Sequence, residues 1–269
     1  MEKIAGSLMC LLAAACLCAC GPRLVILHTN DTHSHLDPVR SGEWAGKGGA
    51  IERAAFVDSV RARHGDDKVL LLHAGDWNQG SSYFSELGGA LELDVVNALR
   101  YDAVALGNHE FDNGIEDLQE RVKKLNVPVV CANLDLSSFE LGELVKPYVV
   151  VNKGRMKIGI IGLDADLTSN VSKVTSSRIP QLDPVTVTLR WADYLKHDEK
   201  CDFVILLSHQ GYKEDHQIAS SVRNVDLVVG GHSHTFVDDF EYVKDLDGRQ
   251  VPIITDGCWG IEMGEITIR

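Results

Sequence analysis

Four times in this 269-residue chain, a short apolar run ends in a small residue and then a side chain able to bind metal. Val69–His73 leads through Ala74 and Gly75 to Asp76, and Ala103–Leu106 leads through Gly107 to Asn108 and His109. Phe203–Leu207 leads through Ser208 to His209, and Leu227–Val229 leads through Gly230 and Gly231 to His232 and His234. Leu24–His28 does much the same, with Asp31 and His33 just past its end. Runs this short and this rich in β-branched residues predict buried strands, as do Val127–Cys131 and Lys157–Leu163. Between them Ala50–Arg63, Gly89–Leu99, Ile115–Leu125, Val185–Lys196 and Asp215–Val222 carry helical spacing. Such alternation predicts an α/β fold with a parallel sheet covered on both faces, where ligands bind beyond the carboxyl ends of the strands. A small residue at that point lets one backbone approach another with no Cβ in the way.

The rest of the chain adds a hairpin around Lys153-Gly154 and a tail, Phe240–Arg269, that alternates and turns like edge strands of a second sheet. No Pro- or Ser-rich linker interrupts the pattern, so a single domain is expected.

A lone His after a strand is ordinarily a hydrogen-bonded loop residue. Five groups converging on one sheet edge are a different matter, and their chemistry is consistent. Asp, Asn and His supply hard-to-borderline donors, and the absence of Cys among them disfavours a finger-type zinc site. Two divalent ions roughly 3.5–4 Å apart need a bridging carboxylate and about seven protein ligands. Asp31, His33, Asp76, Asn108, His209, His232 and His234 meet that need.

The blocks Asn30-Asp31-Thr32-His33, Gly75-Asp76, Gly107-Asn108-His109-Glu110, Ser208-His209 and Gly230-Gly231-His232-Ser233-His234 resemble the calcineurin-like metallophosphoesterases. Within that family they resemble the catalytic domain of the bacterial 5′-nucleotidases. The resemblance implies a β-sandwich flanked by helices in four αββα layers, formed by residues 24–269 as one catalytic domain. It implies two divalent metal ions drawn from zinc, manganese, iron, cobalt or magnesium. Asp31, His33, Asp76 and His234 would hold one; Asp76, Asn108, His209 and His232 would hold the other, with Asp76 bridging. The nucleotidase branch often has Gln where this chain has His234, a departure that bears on metal preference.

The implied reaction is hydrolysis of a small phosphorylated substrate, a phosphomonoester such as a nucleotide. His109 would protonate the leaving oxygen or steady the transition state. Asp112, three residues on, would orient the His109 ring; its other possible role is to cap the helix starting near Ile115. Glu110 reads as a hydrogen-bond acceptor behind the ligands, and His35 lies close by without a clear partner. His28 and His73 read as packed, and Trp77 and Phe111 as core residues ahead of base-stacking ones. A non-catalytic metal-binding scaffold that kept the fold is the competing function.

In the resembling enzymes a second domain supplies the nucleoside clamp and phosphate-binding arginines. With 24–269 taken up by the catalytic domain, two outcomes are open: the lone domain is a broad phosphoesterase, or a separate chain resembling that second domain docks over the metal edge, the second being favoured.

At the other end, Lys3 precedes the uncharged run Leu8–Ala19, too short for a bilayer span, which takes roughly 20 residues. Residues 1–19 therefore read as a secretory signal. Leu17-Cys18-Ala19-Cys20 resembles the bacterial lipobox, which implies cleavage before Cys20, lipid on its sulfur, and 20–23 as a short tether. The expectation is a membrane-anchored lipoprotein of a bacterial cell envelope, on the periplasmic or surface side, with plain secretion as the alternative. Cys131, Cys201 and Cys258 make no disulfide framework, and at most one pair could form. The net charge of −13 excludes electrostatic attraction to a nucleic-acid polymer or anionic lipid. Any phosphate must be drawn in by cations at the site itself.

Overall fold

The structure, a computed structural model, describes residues 23–269, so the expected signal and Cys20 anchor lie outside the described residues. The strands are β1 (Leu24–Thr29), β2 (Val69–His73), β3 (Ala103–Ala105), β4 (Val129–Val130), β5 (Val145–Lys146), β6 (Tyr148–Lys153), β7 (Met156–Leu163), β8 (Phe203–Ser208), β9 (Leu227–Val229), β10 (Glu241–Lys244), β11 (Gln250–Ile254) and β12 (Gly264–Ile268). They form two six-stranded sheets, ordered β12-β1-β2-β3-β4-β5 and β10-β11-β9-β8-β7-β6. In the first, only β12 is antiparallel to its neighbour. In the second, the interior strands are parallel and the edges β6 and β10 are antiparallel.

Side chains alternate along a strand, so each strand feeds two cores. From β1, Leu24 and Ile26 join Leu70 and Leu72 against Ile158, Ile160 and Ile205 of the other sheet. Val25 and Leu27 point the opposite way, onto Val57 and Val60 of helix Ala50–His64 and Val96 of helix Ala90–Leu99. On the far side, Val204 and Leu206 pack on Leu195 of helix Pro184–His197 and Ile218 of helix Tyr212–Ser220. The layers are helix, sheet, sheet, helix.

This is the four-layer αββα arrangement that the resemblance implies, and it goes beyond the one doubly covered sheet that strand–helix alternation alone argues. Strands apolar on both faces do not say whether the second face meets a helix or another sheet. The tail is corrected. β10 and β11 join the second sheet, but β12 crosses to pair with β1 in the first.

Local signals behave as expected. Gly154 and Arg155 turn the β6–β7 hairpin with φ of 59° and 65°, the left-handed pair a two-residue turn requires. Helix Pro184–His197 starts where the Asp183 side chain accepts from Thr186 N at 2.7 Å. Gly114 caps helix Ile115–Val122 without a side-chain bond, so Asp112 is not its cap. Trp77 and Phe111 are buried in the core, and Cys131, Cys201 and Cys258 are all free thiols.

Candidate active site

The carboxyl ends of β1, β2 and β3 in one sheet and of β8 and β9 in the other open onto a common rim, so the site is shared by two sheets rather than one edge. Loops from both can meet because the strand ends carry small residues. A Cβ on Gly107 would lie 2.3 Å from Asp76 Oδ1, and one on Gly75, whose φ is +88°, 2.6 Å from His209 Nδ1. Asp31, His33, Asp76, His232 and His234 hold left-handed backbone, with φ of 47°, 46°, 56°, 70° and 54°. Residues with side chains seldom adopt it, and such strain gathers where the surroundings impose a functional geometry.

Donor atoms within 4.8 Å of one another form the sets Asp31–His33–His234 and Asp76–His209–His232, with a third, His33–Asp76–His109, between them. In the first, Asp31 Oδ1 lies 3.3 Å from His234 Nε2 and 3.6 Å from His33 Nε2. The two imidazole nitrogens are 2.8 Å apart. In the second, Asp76 Oδ2 lies 3.0 Å from His209 Nε2; it is also 3.9 Å from His33 Nε2, between the groups. His209 Nδ1 donates to the Ala74 carbonyl at 2.6 Å, which turns the Nε2 lone pair toward the carboxylates.

Asp31 Oδ1, Asn108 Oδ1 and His209 Nε2 are buried without a hydrogen bond. Each such group costs roughly 1–3 kcal/mol if nothing meets it. These orphaned atoms, in a set of carboxylate, amide and imidazole donors, fit a pair of divalent cations. The carboxylates and imidazoles of the site hold one another in their charged forms. Burial acts to raise the Asp31 carboxyl, but His209, His234 and His33 outweigh it and hold it well below the usual range. Asp31, then Cys258, push the His234 imidazole up to about 10.

His109 Nδ1 contacts Asp112 Oδ2 at 2.9 Å, the expected dyad. That bond raises the imidazole above its ordinary value against partial burial. The ring stands edge-on to His33 at 5.3 Å, and its backbone N donates to Asp76 Oδ1 at 2.9 Å. Glu110 is fully buried and accepts from the backbone N of Gly107, Asp76, Trp77 and Asn78 at 2.7, 2.9, 3.1 and 3.2 Å. Burial and then Asp76 push its carboxyl up to about 8, against four amides that favour the anion. His35 does have partners: its Nδ1 bonds the His33 carbonyl at 2.9 Å and its ring stacks on Trp259 at 4.8 Å. His28 and His73 are buried.

Sequence reasoning missed two contributors. Asn30 Nδ2 donates to Asp31 Oδ2 and to the Gly257 carbonyl, both at 2.6 Å, tying the first loop to the tail. It directly precedes Asp31, which was the available signal. Asp164 follows β7 as Asp76 and His209 follow their strands; it is fully buried, and burial pushes it up to about 7 against the pull of His209.

Known proteins agree with this geometry. Residues 24–236 match the family described as Calcineurin-like phosphoesterase. The snake venom 5′-nucleotidase of Naja atra is 36% identical over 271 residues, 91% of this chain and 50% of its own. Among solved structures, a 5′-nucleotidase precursor from Thermus thermophilus superposes with a TM-score of 0.83 at 36% identity, covering 90% of this chain and 50% of that one. The NAD nucleotidase of Haemophilus influenzae superposes with a TM-score of 0.81 at 30% identity, covering 91% and 46%. The chain thus spans about half the length of the relatives it matches. With the sandwich, the shared rim and the match over most of its length, the chain belongs to the calcineurin-like phosphoesterase family, whose members use a dinuclear metal centre.

Proposed function

We propose that this chain is the catalytic unit of a metal-dependent phosphomonoesterase of the 5′-nucleotidase kind. One observation carries the reading: Asp76 faces His209 at 3.0 Å and His33 at 3.9 Å, between two groups of ligand-capable side chains. Asp31, His33, Asp76 and His234 would hold one cation, and Asp76, Asn108, His209 and His232 the other. When bound, such a pair neutralises phosphate charge and acidifies the attacking water. His109, its ring held by Asp112 in a bond that favours the protonated form, would deliver a proton to the leaving oxygen. Glu110 fixes the loop that carries Asp76 through its backbone bonds. The test is hydrolysis of 4-nitrophenyl phosphate and AMP by the purified protein with Mn²⁺ or Zn²⁺, then with chelator. Turnover should require metal and return on its re-addition; no turnover with any divalent ion would leave the scaffold reading standing.

A nucleotide is the proposed substrate class, on the strength of the nucleotidase relatives. A metal pair grips phosphate and distinguishes little else, so selectivity for the nucleoside needs apolar and stacking contacts from further groups. We assign those to a second substrate-binding unit over the rim, consistent with relatives about twice as long. The reading requires kcat/KM for AMP on this chain alone to be no better than for the aryl phosphate. Anchoring through lipid on Cys20 in a bacterial envelope remains our proposal from Leu17-Cys18-Ala19-Cys20. Cys20→Ser should then release the protein from membranes with specific activity unchanged.

A further inference from the structure

The loops that follow the neighbouring strands β8 and β9 carry His209 and His232. Helix Tyr212–Ser220 leaves the first of these loops and keeps hold of both. Its Tyr212 backbone N donates to Ser233 Oγ on the second loop at 3.2 Å. Three residues on, the Asp215 side chain is buried between them. Its Oδ1 accepts from Ser208 Oγ at 2.5 Å, and the same hydroxyl accepts from Gln210 N at 3.2 Å, so both neighbours of His209 are tied in. Its Oδ2 faces Gly230 of the second loop, where a Cβ would lie 2.5 Å from it.

Stability gives no account of this carboxyl. Oδ2 has no hydrogen bond, and a buried polar group left so costs roughly 1–3 kcal/mol. Burial also pushes the group up to about 8, against the pull of Ser208 and then His209. An apolar side chain would meet neither cost. What the carboxyl adds is an acceptor for Ser208 at a point within reach of both ligand loops.

We propose that Asp215 is a positioning residue for the second cation, setting the spacing of His209 and His232 through Ser208 on one loop and Gly230 on the other. The inference rests on the two-cation reading above. The Ala74 carbonyl turns the His209 ring, whereas Asp215 fixes where its loop sits beside the next. Groups behind a ligand that hold it in this way govern metal affinity without touching the ion.

The test is calorimetric titration of the apoprotein with Mn²⁺, comparing the parent with Asp215→Ala, Asp215→Asn and Ser208→Ala. The parent should bind two ions. Asp215→Ala and Ser208→Ala should each weaken one of them roughly 10–100-fold and leave the other at the parent value. Asp215→Asn keeps an oxygen for Ser208 and should keep both affinities. The double change, Asp215→Ala with Ser208→Ala, should bind no more weakly than Asp215→Ala, because both remove the same hydrogen bond. Unchanged affinities in the two Ala variants overturn the proposal. Equal weakening of both ions overturns it too, since that is general loosening of the rim, as does an Asn variant as weak as Asp215→Ala. Should Asp215→Ala fail to fold, Ser208→Ala decides alone, since it removes one hydroxyl. A parent that binds fewer than two ions overturns the two-cation reading and this inference with it.

Discussion

The two ligand groups use the same residue types and differ in how firmly they are held. His209 is fully buried with Nδ1 pinned by the Ala74 carbonyl, and Asp76 is braced by Glu110 behind its backbone and by His109 N at its Oδ1. In the other group Asp31 is equally buried, but the His234 side chain is 43% exposed and stands beside solvent. Partners behind a ligand fix its orientation and raise its basicity. The contrast lies between two imidazoles, His209 locked in the interior and His234 standing at the solvent edge. It also gives the His234 departure from the nucleotidase pattern a physical setting, because an exposed ligand is the one a family can vary at least cost.

The strongest way to break the comparison is Asp76→Asn, which weakens the carboxylate facing both groups. Both ions should be lost, with turnover at the level of the chelated protein; metal content per chain by elemental analysis checks it. Next in size, His109→Ala should lower kcat by roughly 10²–10⁴-fold while metal content stays at the parent level. Full activity in that variant would remove His109 from the chemistry.

Glu110→Gln sharpens the contrast, since an amide NH₂ would face backbone N–H groups that now donate to a carboxylate. Metal affinity should fall roughly 10–100-fold at the braced group, read by titrating the apoprotein. His234→Gln should cost less than this and alter the ratio of activities with Mn²⁺ and Zn²⁺. An equal or larger loss would mean that exposure does not make this ligand dispensable.

The smallest effect concerns His73 at the end of β2, where burial and then Arg53 push the imidazole down to about 3 from its ordinary 6.5. The unfolded chain takes up a proton below pH 6.5 that the native state refuses. The stability His73 contributes is therefore whole above 6.5 and is lost as pH falls toward 3, by at most about 1.4 kcal/mol per pH unit. Comparing thermal unfolding from pH 7 to 5 for the parent and His73→Phe should show a shallower decline in the variant.

Asp76, Asn108 and His209 were legible as site residues because each follows a strand through a small residue, a pattern that local sequence carries in full. The His109–Asp112 pair was legible for the same reason, being three residues apart on one turn. Asn30 was not, because its partners Gly257 and Asp256 lie at the far end of the chain. Asp164 escaped because a lone Asp after a strand looks like any polar loop residue.

By itself, then, the sequence determined which residues form strands and helices, which loops bear donors, and that the site lies at the carboxyl ends of parallel strands. These follow from periodicity and residue type, which act over a few positions. Only the tertiary structure decided which strands join which sheet, that β12 leaves the second for the first, and that Asp76 stands between His33 and His209. Those outcomes depend on which apolar faces bury one another and on backbone forced into left-handed φ where the sheets meet. They are properties of distant residues packed together, and no short stretch of the chain contains them.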